Sequence, residues 1–187
     1  AAKENTSLPV FCTLTFEKSG RTFMGTDPIT ALLTLQDMGI AAFGANCSLG
    51  PVELVPLFRE MSQYATLPLM IQANAGLPEF TPEGETLYSI TPKEFSDAMG
   101  DMLNLGVTVM GSCCGTTPAF TEELNQLRKE YTSKVSTVVP TPALTTGTQH
   151  TLLSEGPFFV GKALGPEMQK QAQKAAKEKD GYFFSDL

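Results

Sequence analysis

Apolar residues along the first 130 positions fall into two alternating textures. Four short runs of β-formers carry few polar positions: residues 9–16 (PVFCTLTF), 40–46 (IAAFGAN), 68–73 (PLMIQA) and 107–110 (VTVM). Such runs predict strands buried on both faces of a parallel sheet. Between them the apolar positions recur at three and four residues, the spacing of a helix face. Asp27 before Pro28 is an N-cap followed by a favoured first helical residue, and Ile29, Leu32, Leu33 and Leu35 continue the stripe to Gly39. Leu54, Leu57, Phe58 and Met61 form a second stripe, interrupted by Pro56, which predicts a helix that starts after Pro51 or bends. Thr91-Pro92-Lys93-Glu94 reads as a capping box opening a third helix along Phe95, Met99, Met102 and Leu103, and Pro118 opens a fourth along Phe120, Leu124 and Leu127. Four strand–loop–helix units predict an α/β fold with a parallel sheet and right-handed crossovers.

Beyond this region the texture changes. Residues 1–131 read as the folded body, 132–157 as a Ser-, Thr-, Pro- and Gly-rich linker holding the only histidine, His150, and 158–187 as a helical tail. The tail is rich in helix formers after Pro166 but has a thin apolar face. At 187 residues the chain is short of the roughly 250 of a complete eight-stranded β/α barrel. A net charge of -7 is the wrong sign for neutralising phosphates, so nucleic acid is not expected as a partner. No apolar run approaches the roughly 18 to 20 residues of a bilayer span, and the first 20 residues lack signal-peptide order; a cytoplasmic location is expected.

Four cysteines, Cys12, Cys47, Cys113 and Cys114, are too few for a disulfide scaffold and point to metal binding or thiol chemistry. In every unit the distinctive polar residues stand just after the strand: Glu17, then Asn46 and Cys47, then Asn74, then Cys113 and Cys114. The carboxyl ends of parallel strands form the reactive face of α/β folds, so these loops are expected to converge. Adjacent Cys113 and Cys114 would point to opposite sides of a regular strand, and Gly111 and Gly115 offer the freedom for a turn that brings both to one side. Three thiolates suit tetrahedral zinc with one open position, where a thiol substrate could bind as thiolate. The competing readings are buried structural thiols and a redox pair at Cys113 and Cys114. Cys12, in mid-strand, reads as a small core residue, Glu17 as a solvated loop residue, and Asn74 as a turn residue.

Longer strings carry more. Gly44-Ala45-Asn46-Cys47-Ser48-Leu49-Gly50-Pro51, Asn74-Ala75-Gly76-Leu77-Pro78 and Gly111-Ser112-Cys113-Cys114-Gly115-Thr116-Thr117-Pro118 closely resemble the homocysteine-binding domain of cobalamin-dependent methionine synthases. Thr13-Leu14-Thr15-Phe16-Glu17 with Gly20-Arg21-Thr22 extends the resemblance, which covers about residues 8 to 130. It implies that Cys47, Cys113 and Cys114 bind zinc and that homocysteine sulfur takes the fourth position. It implies, too, that methylcobalamin, remethylated from 5-methyltetrahydrofolate and carried on another domain or protein, donates the methyl group that makes methionine. Asn74 and Glu17 are the implied substrate contacts. Two positions depart from the family pattern, Ser112 where glycine is usual and Ala73 where proline is usual, and neither removes a ligand.

The resemblance also implies strands five to eight of a (β/α)8 barrel. Half a barrel leaves two open strand edges, which are normally paired or covered. A homo-oligomer or a complementing half-barrel is therefore expected, together with folate- and cobalamin-binding modules.

Overall fold

A computed structural model of the chain describes residues 1–131 and 137–154. The expected helical tail, 158–187, lies outside the described residues. One turn of helix, α1 (Ala2–Asn5), precedes strand β1 (Phe11–Leu14). Then follow α2 (Pro28–Asp37), β2 (Ala42–Asn46), α3 (Pro51–Met61), β3 (Leu69–Ala73), the short strands β4 (Glu79–Phe80) and β5 (Thr86–Leu87), α4 (Pro92–Leu103), β6 (Val107–Ser112) and α5 (Pro118–Glu130). Strands β7 (Ala143–Thr145) and β8 (His150–Leu152) close the described chain. Among the described residues no helix is long and apolar enough to cross a membrane.

The predicted start signals are used. Asp27 caps α2 by accepting from the Thr30 amide, and Thr91 and Glu94 form the reciprocal capping box of α4. Helix α3 begins at Pro51 and runs on through Pro56, giving up the one hydrogen bond that the proline ring cannot donate.

The main sheet has the order β1-β2-β3-β6, every neighbouring pair parallel. This order never reverses. Same-handed crossovers between successive neighbours place all the helices on one face, whereas a doubly wound sheet reverses its order and covers both. The fold is therefore α/β, with the parallel βα arrangement of half a (β/α)8 barrel. Alternation along β3 follows from this: Leu69, Ile71 and Ala73 are buried, whereas Met70 and Gln72 are half-buried. The core holds Phe43, Leu54, Phe58, Ile71, Met99 and Met102. Helices α4 and α5 meet through an edge-to-face contact of Phe95 and Phe120, centroids 5.3 Å apart. Strands β1 and β6 each pair on one side only among the described residues.

Within the stretch whose composition suggests a linker, β7 and β8 form an antiparallel hairpin. Leu152 is buried in the core, and His150 lies against the start of α2. Composition hides this because a two-strand hairpin with one buried face needs few apolar residues.

Candidate metal centre

The carboxyl ends of β2, β3 and β6 are stitched together by backbone bonds that continue the sheet into its loops. Cys47 N–H donates to Gln72 O (2.9 Å), Cys113 N–H to Ala73 O (2.8 Å), Asn74 N–H to Leu49 O (3.0 Å) and Ala75 N–H to Cys114 O (2.9 Å). Because neighbouring strands are in register there, three loops that are distant in sequence end at one place. Ala73 and Ser112, the two positions that depart from the family pattern, are partners across β3 and β6, and the bond from Cys113 to Ala73 is intact beside them.

The Cys47 loop has an unusual backbone. Cys47 and Ser48 are both left-handed, with φ of 60° and 61°. For side chains other than glycine such geometry is strained, and it concentrates at functional sites. At the other loop the turn freedom sits at Gly115, with φ of 78°; Gly111 is an ordinary β6 residue, so the expectation that both glycines turn the chain holds for one of them.

The sulfurs of Cys47 and Cys114 lie 3.5 Å apart, those of Cys113 and Cys114 3.9 Å, and all three are within 4.8 Å of one another. Tetrahedral zinc with sulfur ligands at about 2.3 Å separates those sulfurs by about 3.8 Å, a spacing close to the two shorter distances here. Cys47 and Cys113 are half-buried and Cys114 is exposed, so the cluster can be reached from solvent. Cys12 lies in mid-strand but is only half-buried, packed against the core rather than part of it, and burial raises its thiol pKa.

Electrostatics separate the thiols. Burial alone would raise Cys47, but hydrogen bonds from the Ser48 backbone and from Cys114, Cys113 and Asn74 hold it below the ordinary thiol value. Burial and the hydrogen bond to Cys47 push Cys113 up to about 11. The two thiols are thus pushed in opposite directions, as expected where crowded titrating groups interact.

Asn74, 3% exposed, sits among them. Its Oδ1 accepts from Cys114 N–H at 3.2 Å while its side chain bonds Cys47, so a single carboxamide spans both cysteine loops. Glu17 is exposed and lines a neighbouring hollow with Lys18, Leu49, Glu53 and Arg59; the cysteines are not part of that hollow. Sequence reasoning missed Tyr88, which stands just past β5 with its ring on Gly115 and its side chain hydrogen-bonded to Cys114. Nothing in the sequence sets it apart from Phe80, the other aromatic residue of the same loop.

The profile of the homocysteine S-methyltransferase family matches residues 1–128. Two curated relatives align over 118 residues, 63% of this chain: the methionine synthase of Mycobacterium tuberculosis (strain ATCC 25618 / H37Rv) at 35% identity and that of Mycobacterium leprae (strain TN) at 34%. The aligned part spans 10% of the length of each relative.

Proposed function

Because the chain belongs to the homocysteine S-methyltransferase family, we infer that it carries the zinc and thiol-binding half of a domain that methylates homocysteine to methionine. The observation that supports this most directly is the three sulfurs gathered at the carboxyl ends of the strands with one side open. Cys47, Cys113 and Cys114 would hold zinc. Bound there, zinc would lower the pKa of the homocysteine thiol and keep it as a thiolate able to take the methyl group of methylcobalamin.

The protein's own residues do the rest of the positioning. Asn74 fixes the Cys47 and Cys114 loops relative to each other and stands at the rim where the amino-acid end of homocysteine is proposed to lie. Glu17, in the loop after β1, is the carboxylate proposed to meet the substrate ammonium group, although its hollow does not include the cysteines. Methylcobalamin and the folate that renews it belong to modules outside this segment.

A second reading is favoured by the single-sided pairing of β1 and β6: a half-barrel that binds metal and thiol and turns over only with a complementing chain. Zinc per chain on reduced protein, for the parent and Cys114→Ala, followed by methyl transfer from supplied methylcobalamin to homocysteine, tests both. One zinc in the parent with loss in the variant, and methionine formed, supports the first reading; zinc without turnover supports the second. No zinc, together with reversible oxidation of the thiols, would replace both with a redox role.

A further inference from the structure

The segment from Gly76 to Ile90 leaves the sheet after β3, forms the β4–β5 hairpin and returns to its own base. Both ends are fixed there: a methyl group at Gly76 would touch the Ile90 side chain at 3.4 Å, so the two residues lie against each other. Tyr88, two positions before that closure, is therefore delivered back over the carboxyl end of β6. Its ring occupies the space where a Cβ on Gly115 would stand, 2.2 Å from Cγ and 2.4 Å from Cδ2. Only glycine admits the ring so close to the backbone. The side chain also hydrogen-bonds the sulfur of Cys114.

We propose that Tyr88 is a positioning residue of the three-sulfur centre, its ring setting the Cys114–Gly115 turn and its hydroxyl donating to the Cys114 sulfur. This rests on the metal-binding reading above and deepens it. Hydroxyl and sulfur are matched as donor and acceptor, since a thiolate carries lone pairs and no proton. A hydrogen bond to a ligand sulfur draws charge from the metal–sulfur bond, and such outer contacts orient the ligands and tune the ion. Asn74 supports Cys114 through its amide and Tyr88 through its sulfur and the neighbouring Gly115, so the most exposed of the three ligands is held by two side chains from the loop that follows β3.

The test compares the parent, Tyr88→Phe and Tyr88→Ala, each reduced, stripped of metal and titrated with Co²⁺ and Zn²⁺ in competition with a chelator. The expected result has three parts. Tyr88→Phe still takes one ion per chain, with affinity lower by about tenfold and with a shifted sulfur-to-cobalt charge-transfer band. Tyr88→Ala loses more, because the ring leaves as well. Melting of the metal-free Tyr88→Phe protein matches the parent. Parent-like affinity and band position in Tyr88→Phe overturn the inference, and so does a loss of affinity that only follows a fall in metal-free stability. A parent that takes up neither ion overturns the metal-binding reading itself, and this inference with it.

Discussion

Three left-handed residues shape the cysteine loops, and sequence treats them differently: Gly115 is a glycine, whereas Cys47 and Ser48 are not. At Gly115 two constraints coincide, positive φ and the Tyr88 ring, so a side chain there would have to displace an aromatic ring as well as accept the strain. Gly115→Ala is expected to cost about 1–3 kcal/mol, measured by denaturant unfolding of the metal-free protein. Ser48 carries strain of about 1–2 kcal/mol, against an entropic cost of about 0.5–1 kcal/mol for a glycine in its place. Ser48→Gly should therefore raise metal-free stability by about 0.5–1 kcal/mol. A fall in stability would show that the γ-turn closed by the Leu49 amide on the Cys47 carbonyl is not a strained one. These opposite signs within one site separate strain that the fold tolerates from strain it could not.

Helix starts were the most legible elements, because a cap is a local event: Asp27, Thr91 and Glu94 bond within their own first turn, so their spacing alone announces the helix. The cysteine motifs were legible for a related reason, each standing at the end of a recognisable strand. Tyr88 and the β7–β8 hairpin were hidden because their partners are distant in sequence and their local composition is that of a loop. At the hairpin, Thr30 gives its hydroxyl hydrogen to Asp27 Oδ2 (2.6 Å) and so accepts from His150 Nδ1 (3.1 Å), while Asp27 Oδ1 stands 3.3 Å from the same nitrogen. Thr26 donates to Gly147 O and Thr34 to Thr145, completing the seam between α2 and the hairpin. Burial alone would raise the Asp27 carboxyl, but the Thr30 hydrogen bonds and the charges of His150 and Arg21 hold it below the ordinary carboxylate value. Because the folded carboxyl ionises more readily than the unfolded one, its stabilisation is present above the unfolded pKa, about 4, and fades as pH falls through the folded value. Amide-exchange protection of residues 143–152 should hold above that range and drop below it. Asp27→Ala should loosen the hairpin at neutral pH and cost α2 about 1 kcal/mol through the lost cap. Protection that is unchanged in Asp27→Ala would show that Leu152 packing and the Thr26 and Thr34 hydrogen bonds seat the hairpin without the Asp27–His150 contact.

At the scale of the whole molecule, the argument turns on what half a barrel exposes. In a closed barrel every strand has two neighbours, yet among the described residues β1 and β6 have one each, and β1 begins with an exposed Phe11. Beside β6 a largely apolar hollow is lined by Leu103, Val109, Met110, Leu127 and Tyr131, with Thr108, Asn125 and Arg128 at its polar positions. An unpaired strand next to apolar surface is a template for association, and charge on the edge is the usual remedy. Thr108, exposed on β6, is the natural place to put one. The 20.1 kDa chain is expected to sediment as an associated species, and Thr108→Lys to shift it toward the monomer without loss of metal, since the sulfurs sit at the far end of the strand. If both proteins are monomers that bind metal equally well, the centre depends only on the three loops that end β2, β3 and β6. The need for a second half then moves from holding the ion to holding the substrate, and adding a complementing half-barrel should lower the KM for homocysteine while leaving zinc affinity where it was.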